Sequence, residues 1–303
     1  MNSPLRIDAA TLQTLIDRAE ILHIAAIPPA DCGRVDVPSE LDALRTRLTA
    51  QREKHLQPWF VLLDESIQFF IQLERYLYEV PLSSNLMGYA VTVSRLKRDL
   101  LSIRELLAIG QAIAANVVAR SFVENIEIAM ALALSAETCE AFAHKNDTNA
   151  FWNKHIGYGR VYEKMLQYAA ACDVEEARAK QLVERHKEAK KLFSDSTHGG
   201  RKSSLFSAFS PSLTNPNEVH FLSLGSHTYH TQFLALFVTQ ETQAFAGSIV
   251  KGTMRRNPLH LYKDFRPTGR FMNAAASAHV LQELLARYEA LLENCMRQPP
   301  STE

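Results

Sequence analysis

The chain has 303 residues, of which 47% are hydrophobic, so it can bury a sizeable core. Its 33 Lys and Arg balance its 33 Asp and Glu, which excludes a general electrostatic attraction of the whole molecule to nucleic acid or to anionic membranes. The 4 cysteines are far apart and form no CxxC pair, so neither a disulfide framework nor a structural zinc site is expected. We expect reduced thiols in the cytoplasm.

The sequence lacks the marks of a secreted or membrane protein. Its first residues have no basic start followed by an apolar run, as a secretion signal requires. The longest stretch without Asp, Glu, Lys or Arg, 219–240, contains three histidines and two glutamines, which would be costly in hydrocarbon. A buried helix of a soluble protein is therefore the better interpretation.

Hydrophobic residues recurring every three or four positions predict an all-α fold, a multi-helix bundle of about eight to ten helices with no sheet. The first helices are predicted over Asp8–Ala26, over Ser39–His55 with Ser39 as its N-cap, and after Pro58. Other helices should cover the broad apolar face of the third, which consists of Trp59, Leu63, Ile67, Phe70, Leu73 and Leu77.

A break at 81–85 separates the later elements from these. It divides the chain into an N-terminal helical region, 1–80, packed on a main helical bundle, 81–303, although a single compact unit is also compatible with the pattern. The later predicted elements are a helical run from the break to about His144 interrupted near Gly110, helices over 149–171, 174–195 and 218–248, a long loop over 199–217, an irregular stretch over 251–270, and a final helix over Met272–Arg297. Asp173 with Glu176 resembles a capping box at the start of the 174–195 helix.

A polar stripe marks the apolar helix that follows Gly110. Asn116, Arg120, Glu124 and Glu127 lie four, four and three positions apart, so they share one face of the helix. One interpretation is the solvent face, where Arg120 and Glu124 would form a surface pair. The other is an interior polar site, because a solvent-facing helix usually carries charge over more of its circumference.

The second candidate is His198, with Gly199, Gly200 and Arg201 directly after it. Glycine and a cation at the end of a helix are typical of an ordinary C-cap. Alternatively, the glycines allow the backbone to approach an anionic ligand that His198 and Arg201 flank.

The third candidate is a set of three histidines, His220, His227 and His230. If the segment is helical, offsets of seven and three residues bring all three onto one face, where imidazoles can bind a transition metal. No carboxylate is identified that completes such a site, so ordinary polar packing is the alternative. The sequence predicts neither a metal nor a cofactor.

The fourth candidate is the basic stretch 251–270, with six Lys or Arg and a single acid, Asp264. Such a local excess suits RNA or a phosphate-containing ligand, while a merely solvated loop is the alternative. The candidate anion-binding residues are Lys202, Arg255, Arg256 and His260. They can form one site with Arg201 only if the 218–248 helix is broken near Gly225, since an unbroken helix would separate its ends by about 45 Å.

Two short elements carry a resemblance to known proteins. The segment Arg120-Ser-Phe-Val-Glu124 and the later Ser194-Asp-Ser-Thr-His198-Gly199 resemble bacterial helical proteins of unknown function, some of which look like distant relatives of HEPN domains. The resemblance covers residues 105–250 and implies a helical bundle; HEPN domains include metal-independent ribonucleases and defence-related toxins. Their motif, Arg followed by four to six residues and His, has two matches, Arg18 to His23 and Arg255 to His260.

The function predicted from these observations is a binding or regulatory module. Its polar pocket is placed near Arg120, Glu124, His198 and Arg201. The alternatives are a HEPN-like metal-independent ribonuclease and a metal-binding bundle. Gly-rich phosphate loops, GxSxG, HExxH and Rossmann fingerprints are absent from the sequence, so whether the chain is an enzyme stays open, as does a homo-oligomeric state.

Overall fold

The computed structural model describes residues 10, 13–14, 36–80, 84–144, 148–198, 200–201, 204–205, 209–211, 213, 219–221, 225–254 and 265–297. The chain forms two compact units, Met1–Ala43 and Leu44–Glu303. The helix over 57–77 belongs to the second unit together with all later described helices.

The all-α prediction is confirmed. The helices are α1 Val37–Gln51, α2 Gln57–Leu77, α3 Ser84–Ala108, α4 Ala112–Leu134, α5 Ala136–His144, α6 Thr148–Phe151, α7 Arg160–Ala171, α8 Glu176–Thr197, α9 Tyr229–Met254 and α10 Gly269–Arg297. π-Helical turns join α1 to α2 at Arg52–Leu56 and extend α6 at Trp152–Ile156. The described residues add one short antiparallel pair, β1 Phe209–Pro211 and β2 Val219–Phe221, with Ser210 opposite His220.

Several predicted boundaries differ from the observed ones. The predicted 149–171 helix is interrupted before α7 by Tyr158 and Gly159, both with positive φ. The predicted 218–248 helix begins only at Tyr229, since residues 219–221 form β2 and residues 225–228 have no regular secondary structure. Most of the predicted Asp8–Ala26 helix lies outside the described residues.

Both predicted N-caps are wrong. Asp36 caps α1: its carboxylate accepts from the Ser39 backbone N–H (3.5 Å) and from the Ser39 hydroxyl (2.6 Å). Helix α1 therefore starts two residues earlier than predicted, since Asp36 is the better placed acceptor for the free N–H groups of the first turn. At α8 the N-cap residue is Glu175, which makes no side-chain cap hydrogen bond.

Helices α2 and α4 form the centre of the second unit. The predicted apolar face of α2 is buried from Leu63 to Leu77 against α3, α9 and α10. Helix α4 packs against α3, α7, α8 and α9, and 15 of its residues are buried, so it lies at the centre of this unit. Phe70 of α2 contacts Phe122 of α4 and Phe245 of α9, so one aromatic cluster joins these three helices.

The turn between α3 and α4 contacts the segment that leads into α9. Gly110 has φ +69°, and its carbonyl accepts from the Ser226 backbone N–H at 3.1 Å. A Cβ on Gly225 would lie 2.3 Å from the Ile109 carbonyl oxygen. Glycine is therefore required at 225 by close backbone contact, and this contact holds the start of α9 beside the start of α4.

Candidate functional site

The polar stripe of α4 faces α8. Asn116 Nδ2 donates to Ser196 Oγ at 3.0 Å, and Arg120 Nη1 donates to Ser194 Oγ at 2.8 Å. Glu127, at the far end of the stripe, is 1% exposed. The solvent-face interpretation is therefore wrong for Asn116 and Glu127, which are buried, whereas Arg120 and Glu124 are partly exposed. We call the facing side chains the polar seam; they are Asn116, Arg120, Glu124 and Glu127 of α4 and His186, Lys190, Ser194 and Ser196 of α8.

The inner end of the seam is a buried ionic cluster. His186 Nδ1 lies 3.2 Å from Glu127 Oε1, and its Nε2 lies 2.9 Å from Glu241 Oε2 on α9. Lys190 Nζ donates to Glu127 Oε2 at 2.7 Å, and Arg185 Nε lies 2.6 Å from Glu241 Oε1. His186 and both glutamates are at most 1% exposed, so water solvates these three charged groups little and they are stabilised mainly by one another.

The charge state of this cluster follows from its geometry. Burial lowers the pKa of His186, but the carboxylates of Glu241 and Glu127 outweigh burial and raise it to about 9. Burial raises the pKa of Glu241, yet His186 and Arg185 bring it below its usual value. For Lys190, burial lowers the pKa and Glu127 raises it, with a net rise. At neutral pH, an imidazolium therefore lies between two carboxylates.

The outer end of the seam is reachable from solvent. Arg120 Nε donates to Glu124 Oε1 at 3.1 Å, and the two side chains are 29% and 28% exposed. Ser194 Oγ accepts from Arg120 and donates to the Lys190 carbonyl oxygen at 2.6 Å. The guanidinium is thus held from two sides while part of its surface stays open to a ligand.

His230 joins the outer seam from the first turn of α9. Its Nε2 lies 2.8 Å from Asn116 Oδ1, and Asn116 in turn donates to Ser196. Because an amide oxygen only accepts, Nε2 carries the proton and Nδ1 is the acceptor of this imidazole. Burial lowers the pKa of His230, which keeps the ring neutral at neutral pH. Its ring stacks on Phe233 with centroids 5.7 Å apart.

The remaining residues of the predicted pocket lie elsewhere. His198 is the exposed C-cap of α8, where its backbone N–H donates to the Ser194 carbonyl oxygen at 3.0 Å. Among the described residues, no hydrogen bond or ion pair joins the His198 side chain to Arg120 or Glu124. Arg201 is exposed. The predicted anion-binding residues Lys202, Arg255, Arg256 and His260 lie outside the described residues.

The three histidines of the metal hypothesis do not share a helical face. His220 lies on β2, His227 lies in the irregular segment 225–228 before α9, and only His230 is helical. His227 is buried, with its Nε2 donating to the Leu107 carbonyl oxygen at 3.1 Å. Within the described ranges, no three His, Cys, Asp or Glu side chains are arranged to hold a metal ion.

The sequence did not predict His186, Glu241 or the place of His230 in the seam. Glu241 carried a usable signal, because it is the sole carboxylate of the apolar helix α9. His186 carried none, since it lies within α8, a helix with charged residues at many positions. The structure thus replaces His198 with Ser194 and His230 as neighbours of the α4 stripe.

Comparison of the chain with known protein families, with curated proteins and with solved structures finds no match. Among the helices that the structure describes, none combines the length and apolar character needed to cross a membrane. The resemblance to HEPN-like proteins therefore stays a prediction from the two short elements.

Proposed function

We propose that the chain is a binding or regulatory module whose ligand occupies the outer end of the polar seam. The observation that carries this proposal is the state of Arg120, which is fixed by Glu124 and Ser194 and still 29% exposed. The Arg120 guanidinium is already oriented and partly exposed, so binding an anionic group requires little free energy to reorder this side chain. The buried ionic cluster supports this site by tying α4, α8 and α9 together below it.

The ligand that suits this site carries a phosphate beside a hydrogen-bond donor. Arg120 offers N–H groups to phosphate oxygens, since no described residue accepts from its Nη2. Glu124 and His230 Nδ1 offer acceptors to a hydroxyl or an amine. Nucleotides and RNA combine both kinds of group.

Calorimetric titration tests the proposal with three probes: pyrophosphate, adenosine monophosphate and a single-stranded oligouridylate. We expect at least one to bind at low ionic strength, and Arg120→Gln to weaken that binding about tenfold, which corresponds to 1.4 kcal/mol. Arg95→Gln is the matched control, because Arg95 also donates to a serine, Ser121, at 3.3 Å but is exposed and lies outside the seam. Equal weakening in both variants, or no binding of any probe, overturns the proposal.

RNA cleavage without metal is a second candidate, and His230 favours it. Asn116 fixes its tautomer, which is how an imidazole is oriented to accept a proton from a substrate hydroxyl. Single-stranded RNA should then be cleaved in the presence of a chelator, more slowly by His230→Gln and at an unchanged rate by His198→Gln. RNA that stays intact after incubation with the unaltered protein would contradict cleavage, and binding would then be the one function still proposed.

A cytoplasmic setting belongs to the same proposal. Cys139 and Cys172 are buried free thiols, as is usual in a reducing compartment. Burial also raises the pKa of Cys172, to about 11, so this thiol is unreactive at neutral pH.

A further inference from the structure

A second polar group lies outside the polar seam, where α5, the second π-helical turn and α7 meet. Lys164 Nζ donates to Thr138 Oγ1 at 3.1 Å and lies 3.4 Å from His155 Nδ1. Thr138 and His155 are 2% and 6% exposed. We call these three residues the lysine cradle.

The lysine cradle differs from two other half-buried lysine sites in the charge of its partners. Lys190 is paired with Glu127, and Lys97 is paired with Glu74. In the described part of the chain, no carboxylate lies within ion-pair distance of Lys164, whose two close partners are neutral when His155 is unprotonated.

The wider surroundings also favour the neutral amine. Burial lowers the pKa of Lys164, Glu137 raises it and Lys154 lowers it, with a net fall. Glu137 is itself engaged by Lys154, whose Nζ donates to its Oε1 at 2.7 Å. A larger fraction of Lys164 is therefore uncharged at neutral pH than of an ordinary lysine, and the uncharged amine is the nucleophile.

The backbone before α7 fixes the third member of the cradle. His155 lies in the π-helical turn Trp152–Ile156, and Tyr158 with φ +57° and Gly159 with φ +83° follow it. π-Helical turns and left-handed non-glycine residues are uncommon and recur at functional sites. Here they place an imidazole nitrogen beside the lysine amine.

We propose that Lys164 is a reactive amine that condenses with a carbonyl compound of the aldehyde class. The ammonium first loses a proton, which His155 Nδ1 is placed to accept. The amine lone pair then forms a C–N bond to the carbonyl carbon, the C=O electron pair moves to oxygen, and the proton that the new ammonium nitrogen loses is taken up by this oxygen. Loss of water from this carbinolamine leaves a C=N bond between Lys164 and the ligand.

Reductive alkylation of the full-length protein tests this inference. Acetaldehyde forms the C=N bond and cyanoborohydride reduces it by hydride transfer, so each modified lysine is read as a mass increase in its peptide. Acetaldehyde carries no phosphate, so the outcome is independent of the ligand proposed for the polar seam. At pH 7 we expect Lys164 to react at least about threefold faster than exposed Lys191, and Lys190 to react more slowly than both.

The pH profile of the unaltered protein supplies a second measurement that needs no variant. The labelling rate of Lys164 should level off at lower pH than that of an ordinary exposed lysine, because burial lowers the pKa of Lys164. Thr138→Val, which removes one hydrogen-bond acceptor of the ammonium, should increase labelling of Lys164. Labelling of Lys164 that is slower than that of Lys191 at pH 7, or identical pH profiles of the two, overturns the inference.

Discussion

His186 Nε2 on α8 lies 2.9 Å from Glu241 Oε2 on α9, and both side chains are buried. The opposite nitrogen of the same ring reaches Glu127 on α4, so one imidazolium links three helices. A buried ion pair need not stabilise a fold relative to apolar packing, but the loss of one partner leaves an uncompensated charge. The cluster therefore restricts which side chains can replace its charged members. It also fixes the positions of α4, α8 and α9 next to the outer seam.

Glu241→Gln should lower the free energy of unfolding by about 3 kcal/mol, because it leaves the charge of His186 with one carboxylate fewer. Urea denaturation at pH 7 measures this loss. Glu124→Gln is the matched control: Glu124 is 28% exposed, and its removal should cost less than about 1 kcal/mol. Equal effects of the two substitutions would contradict the burial of the cluster.

Stability should also depend on pH through His186. Its pKa of about 9 in the folded chain exceeds the value of 6.5 for an ordinary histidine, so its contribution is fully present below pH 6.5 and is lost as pH rises through 9. A rise of this size corresponds to about 3 kcal/mol. The free energies of unfolding of the unaltered protein and of His186→Gln, compared between pH 6 and pH 10, should converge as pH rises. A gap that is constant with pH would show that His186 is not charged in the folded state.

The polar seam shows what the sequence could and could not predict. The spacing of Asn116, Arg120 and Glu127 predicted one polar face of α4, because helix periodicity is a local property. The partners of that face could not be predicted, since Glu127 meets His186 from 59 positions away. Likewise, Gly225 was recognised as a site where a helix could break, but its contact with the turn at Gly110 depends on tertiary packing.

Gly225→Ala should destabilise the protein by about 1–3 kcal/mol, since the new methyl group would lie 2.3 Å from the Ile109 carbonyl oxygen. Gly247→Ala is the matched control inside α9. There the nearest atom to the new Cβ outside the helix backbone is Gln243 Nε2 at 3.9 Å, so better helix propensity should stabilise by about 0.5–1 kcal/mol. Thermal unfolding of both variants distinguishes them, and destabilisation by both would argue against the Gly225 contact.

Arg120 and Ser194 should be energetically coupled. Each single substitution, Arg120→Gln or Ser194→Ala, is expected to cost about 1 kcal/mol, and the double variant should cost less than their sum by about 0.5–1 kcal/mol. The corresponding cycle on Arg95 and Ser121 should show coupling below about 0.3 kcal/mol, because Arg95 is exposed. Additive effects in the Arg120–Ser194 cycle would mean that the two side chains do not interact in solution.

Inside the protein, the polar stripe of α4 meets a charged histidine of α8. Nuclear magnetic resonance of the His186 imidazole tests this central structural claim most directly. Nitrogen chemical shifts of the ring, assigned by comparison with His186→Gln, report whether both nitrogens carry protons. We expect a doubly protonated ring at pH 7.5 that titrates with a pKa of about 9. A neutral His186 ring at pH 7.5, or titration near 6.5, would contradict it.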